Sequence, residues 1–161
     1  MKQFDVLVLG GGPGGYSFAI AAAKKGLKVA LFERERLGGT CLNVGCIPTK
    51  YLVDKANAME KVRDLVRKEI FRGAGSFSFR RIQREKEQVT AKLVGGVQFL
   101  LKKSGVTVVS GQAELCPERV VRCGGEEYQG EHVVIATGSA PVRVPVPGCE
   151  LAIDSTGVLA L

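Results

Sequence analysis

The stretch that decides the fold lies near the amino terminus, where residues 4–26 read FDVLVLGGGPGGYSFAIAAAKKG. The apolar run from Phe4 to Leu9 is typical of a strand buried on both faces of a parallel sheet. A glycine-rich turn follows it, and the pattern then predicts a helix over 16–25 that stops at Gly26. A second strand over 29–33 completes a βαβ unit with parallel strands.

The turn between the first strand and the helix has the spacing of a dinucleotide-binding fingerprint. Gly10 permits the tight turn, Gly12 lets a pyrophosphate contact the backbone, and Gly15 allows close packing of the helix on the strand. Glu33 ends the second strand, where an acid accepts hydrogen bonds from an adenosine ribose. A glycine turn without a ligand is the alternative. We disfavour it because strand, helix and acid all stand where the fingerprint requires them.

A second informative stretch, GGTCLNVGCIPTK, covers residues 38–50 and contains two cysteines. A regular helix would separate Cys41 from Cys46 by about 7.5 Å along its axis. Disulfide-bonded cysteines have Cα atoms about 4.4–6.8 Å apart, so a bonded pair requires an irregular backbone between them. Asn43 and Gly45 tolerate such a departure. A small loop of this kind favours a reducible, working disulfide, and the alternative is a pair of free, buried thiols.

The residues that follow favour a reactive thiol. Pro48 suits the first turn of a helix, which would place Cys46 at or just before the helix N-terminus, where a thiolate is stabilised. Lys50 adds positive charge nearby. We expect the other three cysteines to be inert: Cys116, Cys123 and Cys149. No metal site is expected, because no metal-type spacing is visible and His132 is the only histidine.

Two long helices are predicted after the cysteine segment, over 48–71 and 79–103, with a break at residues 73–76. Gly95 and Gly96 lie inside the second helix. Because a helical glycine costs about 1 kcal/mol relative to alanine, the pair indicates close packing or a local break.

The remaining pattern predicts strands, followed by a proline-rich linker. The predicted strands are 106–109, 115–123, 127–129 and 132–136. Residues 115–129 would form a three-stranded antiparallel meander that crosses between parallel strands, and His132 would open the last strand. The fold class is therefore α/β: a Rossmann-like domain with a parallel central sheet, a β-meander crossover and a two-helix excursion.

Composition and charge limit the possible functions. The 161 residues suit one domain, and no apolar run is long enough to span a membrane or to form a signal-peptide core, so we expect a cytoplasmic protein. The net charge is +7, and residues 60–103 hold twelve of the 23 Lys and Arg but five of the 16 Asp and Glu. Without interleaved aromatics or a binding motif, this excess indicates a solvated helical face rather than a nucleic-acid site.

Together these segments resemble the flavin-domain start of the pyridine nucleotide-disulfide oxidoreductases. The resemblance covers essentially the whole chain and rests on the glycine turn, Glu33, and the segments 39–50, 100–103, 111–113 and 135–139. Leu42 and Ile47 are more similar to the lipoamide branch of the family than to the glutathione or mercuric reductase branches.

The resemblance implies FAD as the cofactor. Glu33 would bind the adenosine ribose, and Ala113 would contact the adenine through its backbone. Cys46 would be the flavin-proximal thiol and Cys41 the thiol that exchanges with the dithiol substrate, while Lys50 would tune the flavin. The implied FAD-contacting residues are Gly10, Gly12, Pro13, Gly15, Glu33, Gly39, Thr40, Lys50, Gly111, Ala113, Ala136, Thr137 and Gly138.

The resemblance also implies a longer parent enzyme. Residues 1–147 would be the first segment of its FAD-binding domain, and residues 148–161 the start of the connection to an NAD-binding domain. The implied reaction passes electrons from dihydrolipoamide through a Cys41–Cys46 disulfide and FAD to NAD, in a homodimer. The dihydrolipoamide would be carried on a lipoyl domain of a 2-oxo acid dehydrogenase or glycine cleavage complex. The catalytic base would lie in another domain, since His132 reads as a strand residue.

Two function classes remain open at this point. The chain is either the FAD and redox-disulfide part of such an oxidoreductase, or a FAD-binding module or inactive remnant. Full activity is not expected of these residues alone.

Overall fold

The computed structural model describes residues 1–73 and 76–161, and its centre is a single six-stranded sheet. The strands are β1 (Lys2–Leu9), β2 (Val29–Glu33), β3 (Thr107–Ser110), β4 (Ala113–Cys116), β5 (Val120–Cys123) and β6 (Glu126–Ile135). The helices are α1 (Pro13–Lys24), α2 (Gly39–Val44), α3 (Cys46–Arg67), α4 (Phe79–Lys103) and α5 (Ser155–Leu159). The spatial order of the strands is β3-β2-β1-β6-β5-β4, with β3, β2, β1 and β6 parallel to one another.

The predicted βαβ unit is confirmed. β1 runs parallel to β2, with Val6 opposite Val29, and α1 connects them. The helix begins at Pro13, earlier than predicted, because proline fits the first turn and Gly12 serves as the N-cap. The predicted stop is confirmed at Gly26, whose φ of 88° lies in the left-handed region that glycine adopts without strain.

Both faces of the sheet are covered by apolar side chains. On one face, Ala19 of α1 and Leu101 of α4 are fully buried in a cluster with Val8. On the other face, the rings of Phe32 and Tyr128 meet edge to face, with centroids 5.0 Å apart. Each large apolar side chain buried in this way contributes about 1.5–3 kcal/mol to the stability of the fold. The two layers therefore fix the positions of the strand ends, where the predicted site lies.

A correction concerns β6. The sequence predicts separate strands at 127–129 and 132–136, but one continuous strand spans Glu126–Ile135. Its beginning pairs antiparallel with β5, while from Tyr128 onward it pairs parallel with β1. Gly130 permits this continuity, since a Cβ there would lie 2.7 Å from the Leu7 Cγ. His132 lies in β6, as predicted, and is exposed.

The first helix of the excursion, α3, is shifted from its predicted bounds of 48–71. It begins at Cys46 and ends before Lys68, four residues short of the prediction. Glu69 adopts a left-handed φ of 57°, which is incompatible with a right-handed helix, so α3 does not extend past it. The N–H groups of Ile70 and Phe71 then donate to the Leu65 carbonyl and close the helix end.

The second helix, α4, has the predicted bounds. Ser78 caps it, its Oγ accepting a hydrogen bond from the Arg81 N–H at 3.3 Å. Of the predicted break at 73–76, residues 74 and 75 lie outside the described residues. Gly95 and Gly96 neither break the helix nor pack closely, because no atom of the described chain would lie within 4 Å of a Cβ at either position. The expectation for that pair is therefore wrong.

A polar contact joins the two helices close to the cysteine segment. The Tyr51 hydroxyl donates to one oxygen of Glu85 at 2.7 Å, and Arg81 Nε donates to the other at 3.1 Å. The hydrogen bond to Glu85 raises the pKa of Tyr51, so the phenol stays a donor at neutral pH. The start of α3 is thereby fixed against α4.

The basic side chains of the excursion are exposed, as predicted for a solvated face, with two exceptions: Lys55 is half-buried and Lys86 is buried. No helix in the described part of the chain is both long and apolar enough to cross a membrane. Residues 1–73 and 76–161 contain no group of three or more His, Cys, Asp and Glu side chains that could hold a metal ion.

The substitution Gly96→Ala is expected to stabilise the chain by roughly 1 kcal/mol, because it removes the entropic cost of a helical glycine without creating an overlap. The midpoint of urea unfolding should rise at unchanged slope. Gly130→Ala is the matched control and should destabilise, since its Cβ would overlap Leu7. A loss of stability in Gly96→Ala would show that α4 requires a bare backbone at that position.

Candidate active site

The glycine turn at the end of β1 is sterically required. A Cβ at Gly15 would lie 1.8 Å from the Gly10 carbonyl oxygen, and a Cβ at Gly10 would lie 2.2 Å from the Ala136 carbonyl oxygen. Gly10 also has a φ of 103°. The turn is therefore compact, and it brings the end of β1, the start of α1 and the end of β6 together.

The N-terminus of α1 is open to a ligand. Gly12 is the N-cap, and no side chain caps the first turn of this helix. A Cβ at Gly14 would meet no atom of the described residues within 4 Å. Uncapped backbone N–H groups and the positive end of the helix dipole favour an anion here.

Glu33 forms a fixed acidic group beside the turn. Its carboxylate accepts hydrogen bonds from the Gly11 N–H at 2.7 Å and from the Glu35 N–H at 2.8 Å. The Gly111 N–H donates to the Glu33 carbonyl at 2.8 Å, which brings the predicted segment 111–113 next to the end of β2. Gly11 was not predicted, although a Cβ there would lie 2.6 Å from Leu37 and 3.0 Å from the Glu33 carboxylate.

A second glycine pair attaches α2 to the turn. The Gly38 N–H donates to the Gly11 carbonyl at 2.8 Å. Gly39 has a φ of 53°, and a Cβ there would lie 2.7 Å from the Gly12 Cα. Gly39 and Thr40, both predicted site residues, therefore begin a helix in direct contact with the turn. Gly38 was not among the predicted site residues, although the two consecutive glycines before Thr40 indicate a close backbone contact there.

The predicted turn 136–138 lies at the same edge of the sheet. The Ala136 N–H donates to the Leu9 carbonyl at 2.8 Å, which extends the pairing of β6 with β1 beyond Ile135. Gly138 has a φ of 73°, and both it and Thr137 are exposed. The turn is thus placed beside Gly10 with an accessible backbone.

The predicted backbone irregularity between the two cysteines is present at Gly45. α2 ends at Val44, and Gly45 adopts φ −145° and ψ −115° before α3 begins at Cys46. A Cβ at Gly45 would lie 2.8 Å from the Thr40 carbonyl oxygen, so the close return of the chain depends on glycine. This return of the chain lets Cys46 act on the Cys41 thiol, and Cys46 is the largest cause of the raised pKa of Cys41.

Asn43 has a different role from the one expected. It stays helical within α2, and its side-chain amide donates to the Leu37 carbonyl at 3.0 Å and to the Gly39 carbonyl at 2.9 Å. The amide therefore braces the start of α2 rather than breaking it. Sequence reasoning missed this function because both acceptors are backbone groups that the spacing alone does not bring together.

The structure holds both cysteines as free thiols, which is the dithiol form of the pair. Cys46 is exposed and Cys41 half-buried, so the alternative of two buried thiols does not describe them. The hydrogen bond to Cys46 and, to a smaller degree, burial raise the pKa of the Cys41 thiol, while the charge of Lys50 lowers it. The Cys41 thiol is consequently harder to ionise than an ordinary cysteine thiol.

The structure brings the glycine turn, Glu33, Gly39 and the turn 136–138 to one edge of the sheet, with the dithiol attached through α2. Cys123 is buried in β5, and Cys116 and Cys149 are free thiols in other parts of the fold. An elongated dinucleotide with a central pyrophosphate fits this arrangement, because the acid and the open helix terminus flank one glycine cradle.

Gly15→Ala is expected to destabilise the chain by about 3 kcal/mol or more, because its Cβ would overlap a backbone oxygen that has no room to move. Gly14→Ala, one residue away in open space, is the matched control and should stay within about 1 kcal/mol of the parent chain. Urea unfolding of both variants checks this. Equal losses would show that the turn itself relaxes.

Cys46→Ala is expected to lower the pKa of Cys41, because it removes the hydrogen bond that raises it and leaves the charge of Lys50 in place. Lys50→Met should raise the same pKa further. Thiolate ultraviolet absorbance against pH measures both, with Cys116, Cys123 and Cys149 replaced by serine. An unchanged titration in Cys46→Ala would contradict an interaction between the two thiols.

A family model described as pyridine nucleotide-disulphide oxidoreductase matches residues 4–160. The dihydrolipoyl dehydrogenase of Bacillus subtilis is 41% identical over 162 residues, covering 96% of this chain and 35% of the relative. Its namesake from Acholeplasma laidlawii is 42% identical over 158 residues, covering 95% and 46%. The Cu(II) complex of the HOCl-induced flavoprotein disulfide reductase RclA from Escherichia coli superimposes with a TM-score of 0.82 at 32% identity.

The RclA match covers the whole of this chain and 35% of the RclA chain. This chain therefore spans about a third to less than half of the length of these relatives. The family and its flavoprotein neighbours imply FAD as the cofactor, which fits the glycine cradle, and NAD in a longer parent enzyme is consistent with them. Because the family model matches nearly the whole chain, this protein belongs to the pyridine nucleotide-disulphide oxidoreductases.

Proposed function

We propose that the chain is the FAD-binding and dithiol-bearing part of an oxidoreductase that oxidises dihydrolipoamide. The observation that carries this proposal is the pair Cys41 and Cys46 at the junction of α2 and α3, where Cys46 raises the pKa of the Cys41 thiol. The Gly38 N–H bonds the start of α2 to the glycine turn. Two thiols in contact beside a dinucleotide cradle are suited to two-electron exchange with a dithiol. The names of the dihydrolipoyl dehydrogenase relatives support the choice of substrate.

The residues that would hold FAD surround the glycine turn. The pyrophosphate would lie at the N-terminus of α1 beside Gly12, and the adenosine ribose would bind Glu33. The other proposed contacts are Gly10, Pro13, Gly15, Gly39, Thr40, Lys50, Gly111, Ala113, Ala136, Thr137 and Gly138. When bound, FAD supplies a two-electron acceptor next to the dithiol.

The exchange step balances on the sulfur atoms of this chain. A substrate thiolate attacks Sγ of Cys41 in the oxidised pair, the S–S bond to Cys46 breaks, and Cys46 leaves as a thiolate at the N-terminus of α3. The second substrate thiolate then displaces Sγ of Cys41 and closes the substrate disulfide. The substrate loses two electrons, the cysteine pair gains two, and the two substrate protons end on Cys41 and Cys46.

The wider setting is part of the same proposal. Residues 1–147 would form the first segment of a FAD-binding domain, and residues 148–161 would lead to an NAD-binding domain. The parent would be a cytoplasmic homodimer that receives dihydrolipoamide from a lipoyl domain of a 2-oxo acid dehydrogenase or glycine cleavage complex. The partial coverage of the relatives also favours a second candidate, a FAD-binding module without turnover of its own.

Reconstitution with excess FAD tests the proposal. After desalting, the chain should retain a flavin spectrum, and anaerobic dihydrolipoamide should bleach it. Cys46→Ser should retain the flavin but lose the bleaching, because the exchange then has no second sulfur. Cys149→Ser, a thiol in another part of the fold, is the matched control and should behave as the parent chain.

The possible results separate the two candidates. Retained FAD without dithiol-dependent bleaching would support the binding module. Retention of NAD without FAD, or bleaching that is unchanged in Cys46→Ser, would contradict the proposed function.

A further inference from the structure

A pocket of about 480 Å³ lies between α2, α4 and α5. Neither the two cysteines nor the residues of the glycine turn line it. Its walls combine cationic, hydroxyl and amide groups, which a purely apolar packing gap would not need. The lining residues used below are Arg36, Asn43, Lys86, Thr90, Thr156 and Leu159.

Lys86 is the buried charged side chain of the described structure, with 7% of its surface exposed. Its ammonium donates one hydrogen bond, to the Leu159 carbonyl at the end of α5. An ammonium carries three N–H donors, and burying it is costly unless charge or acceptors compensate. One carbonyl acceptor does not satisfy the three N–H donors of the Lys86 ammonium and does not balance its charge.

The charges around the pocket do not neutralise Lys86. In residues 1–73 and 76–161, neither Lys86 nor Arg36 takes part in an ion pair. The pocket contains one acid, Glu87, which is exposed and makes no ion pair with Lys86. The hydroxyls of Thr90 and Thr156 add two neutral donors. The pocket is thus positive overall and contains more donors than charged acceptors.

From this arrangement we infer that the pocket is a binding site for a small oxyanion, a phosphate or carboxylate group of a soluble metabolite. The Lys86 ammonium and the Arg36 guanidinium would share the charge of the anion, and the threonine hydroxyls would donate to its remaining oxygens. The volume lies in the range of small-molecule pockets, so the anion can carry a modest organic part.

The site has a physical connection to the dithiol. Asn43 lines the pocket and also donates to the Leu37 and Gly39 carbonyls that hold the start of α2. An anion bound against Asn43 would therefore contact the helix that carries Cys41. The binding site itself does not depend on the function proposed above, since neither the cysteines nor the glycine turn line it.

Calorimetric titration of the 161-residue chain with inorganic phosphate tests the inference, at ionic strength balanced with chloride. A parallel titration with succinate distinguishes phosphate from carboxylate recognition. Saturable binding of either anion is expected in the parent chain, and Lys86→Met should weaken it by roughly tenfold or more. Lys92→Met, an exposed lysine on the same helix, is the matched control and should bind as the parent does.

A second variant keeps the test decisive if Lys86→Met does not fold. Arg36 is exposed, so Arg36→Gln should fold normally and still weaken anion binding. Equal binding in the parent, Lys86→Met and Arg36→Gln would place the anion elsewhere, for instance at the glycine turn, and would overturn the inference. Absence of phosphate and succinate binding in the parent chain would overturn it as well.

Discussion

Close approach of backbone to backbone at the glycine turn is the constraint on which the rest of this structure depends. The Gly10 carbonyl occupies the space that a Cβ of Gly15 would need, and the Ala136 carbonyl occupies the space beside Gly10. These contacts bring β1, α1 and β6 to one point. Gly39 adds a third contact, against Gly12, and so fixes where α2 begins. The dithiol is therefore positioned by the same geometry that opens the cradle for a dinucleotide.

The features that sequence reasoning predicted correctly are set by neighbours in the chain. The βαβ unit follows from local hydrophobic runs, and the irregular backbone at Gly45 follows from the spacing of two cysteines. The errors concern residues whose environment comes from distant segments. β6 is continuous because Gly130 has no Cβ to overlap the Leu7 side chain. Lys86 is buried because the end of α5 packs against α4, where the Leu159 carbonyl accepts a hydrogen bond from its ammonium. Asn43 was expected to tolerate the irregular backbone, but it stays helical and its amide donates to two carbonyl groups instead.

The two thiols are held in unequal environments. Cys41 is half-buried and has a raised pKa because the neighbouring thiol is its hydrogen-bond partner, while Cys46 is exposed at the start of α3. A Cys41 thiol with a raised pKa resists ionisation, which suits the reduced form of the pair. The single histidine, His132, lies in the exposed part of β6 and does not contribute to the Cys41 pKa.

The large positive charge of the excursion has little influence on the dithiol. α3 has 22 residues and so extends about 33 Å from Cys46. At physiological salt, exposed charges are screened beyond about 8 Å, so Lys61, Arg63 and Arg67 in the second half of α3 lie too far away. Lys50 is one helical turn from Cys46 and is the cation that lowers the pKa of Cys41. Local groups therefore set the electrostatics of Cys41: Cys46 and burial raise the pKa of its thiol, and Lys50 lowers it. The net charge of +7 acts instead on solubility and on encounter with partners.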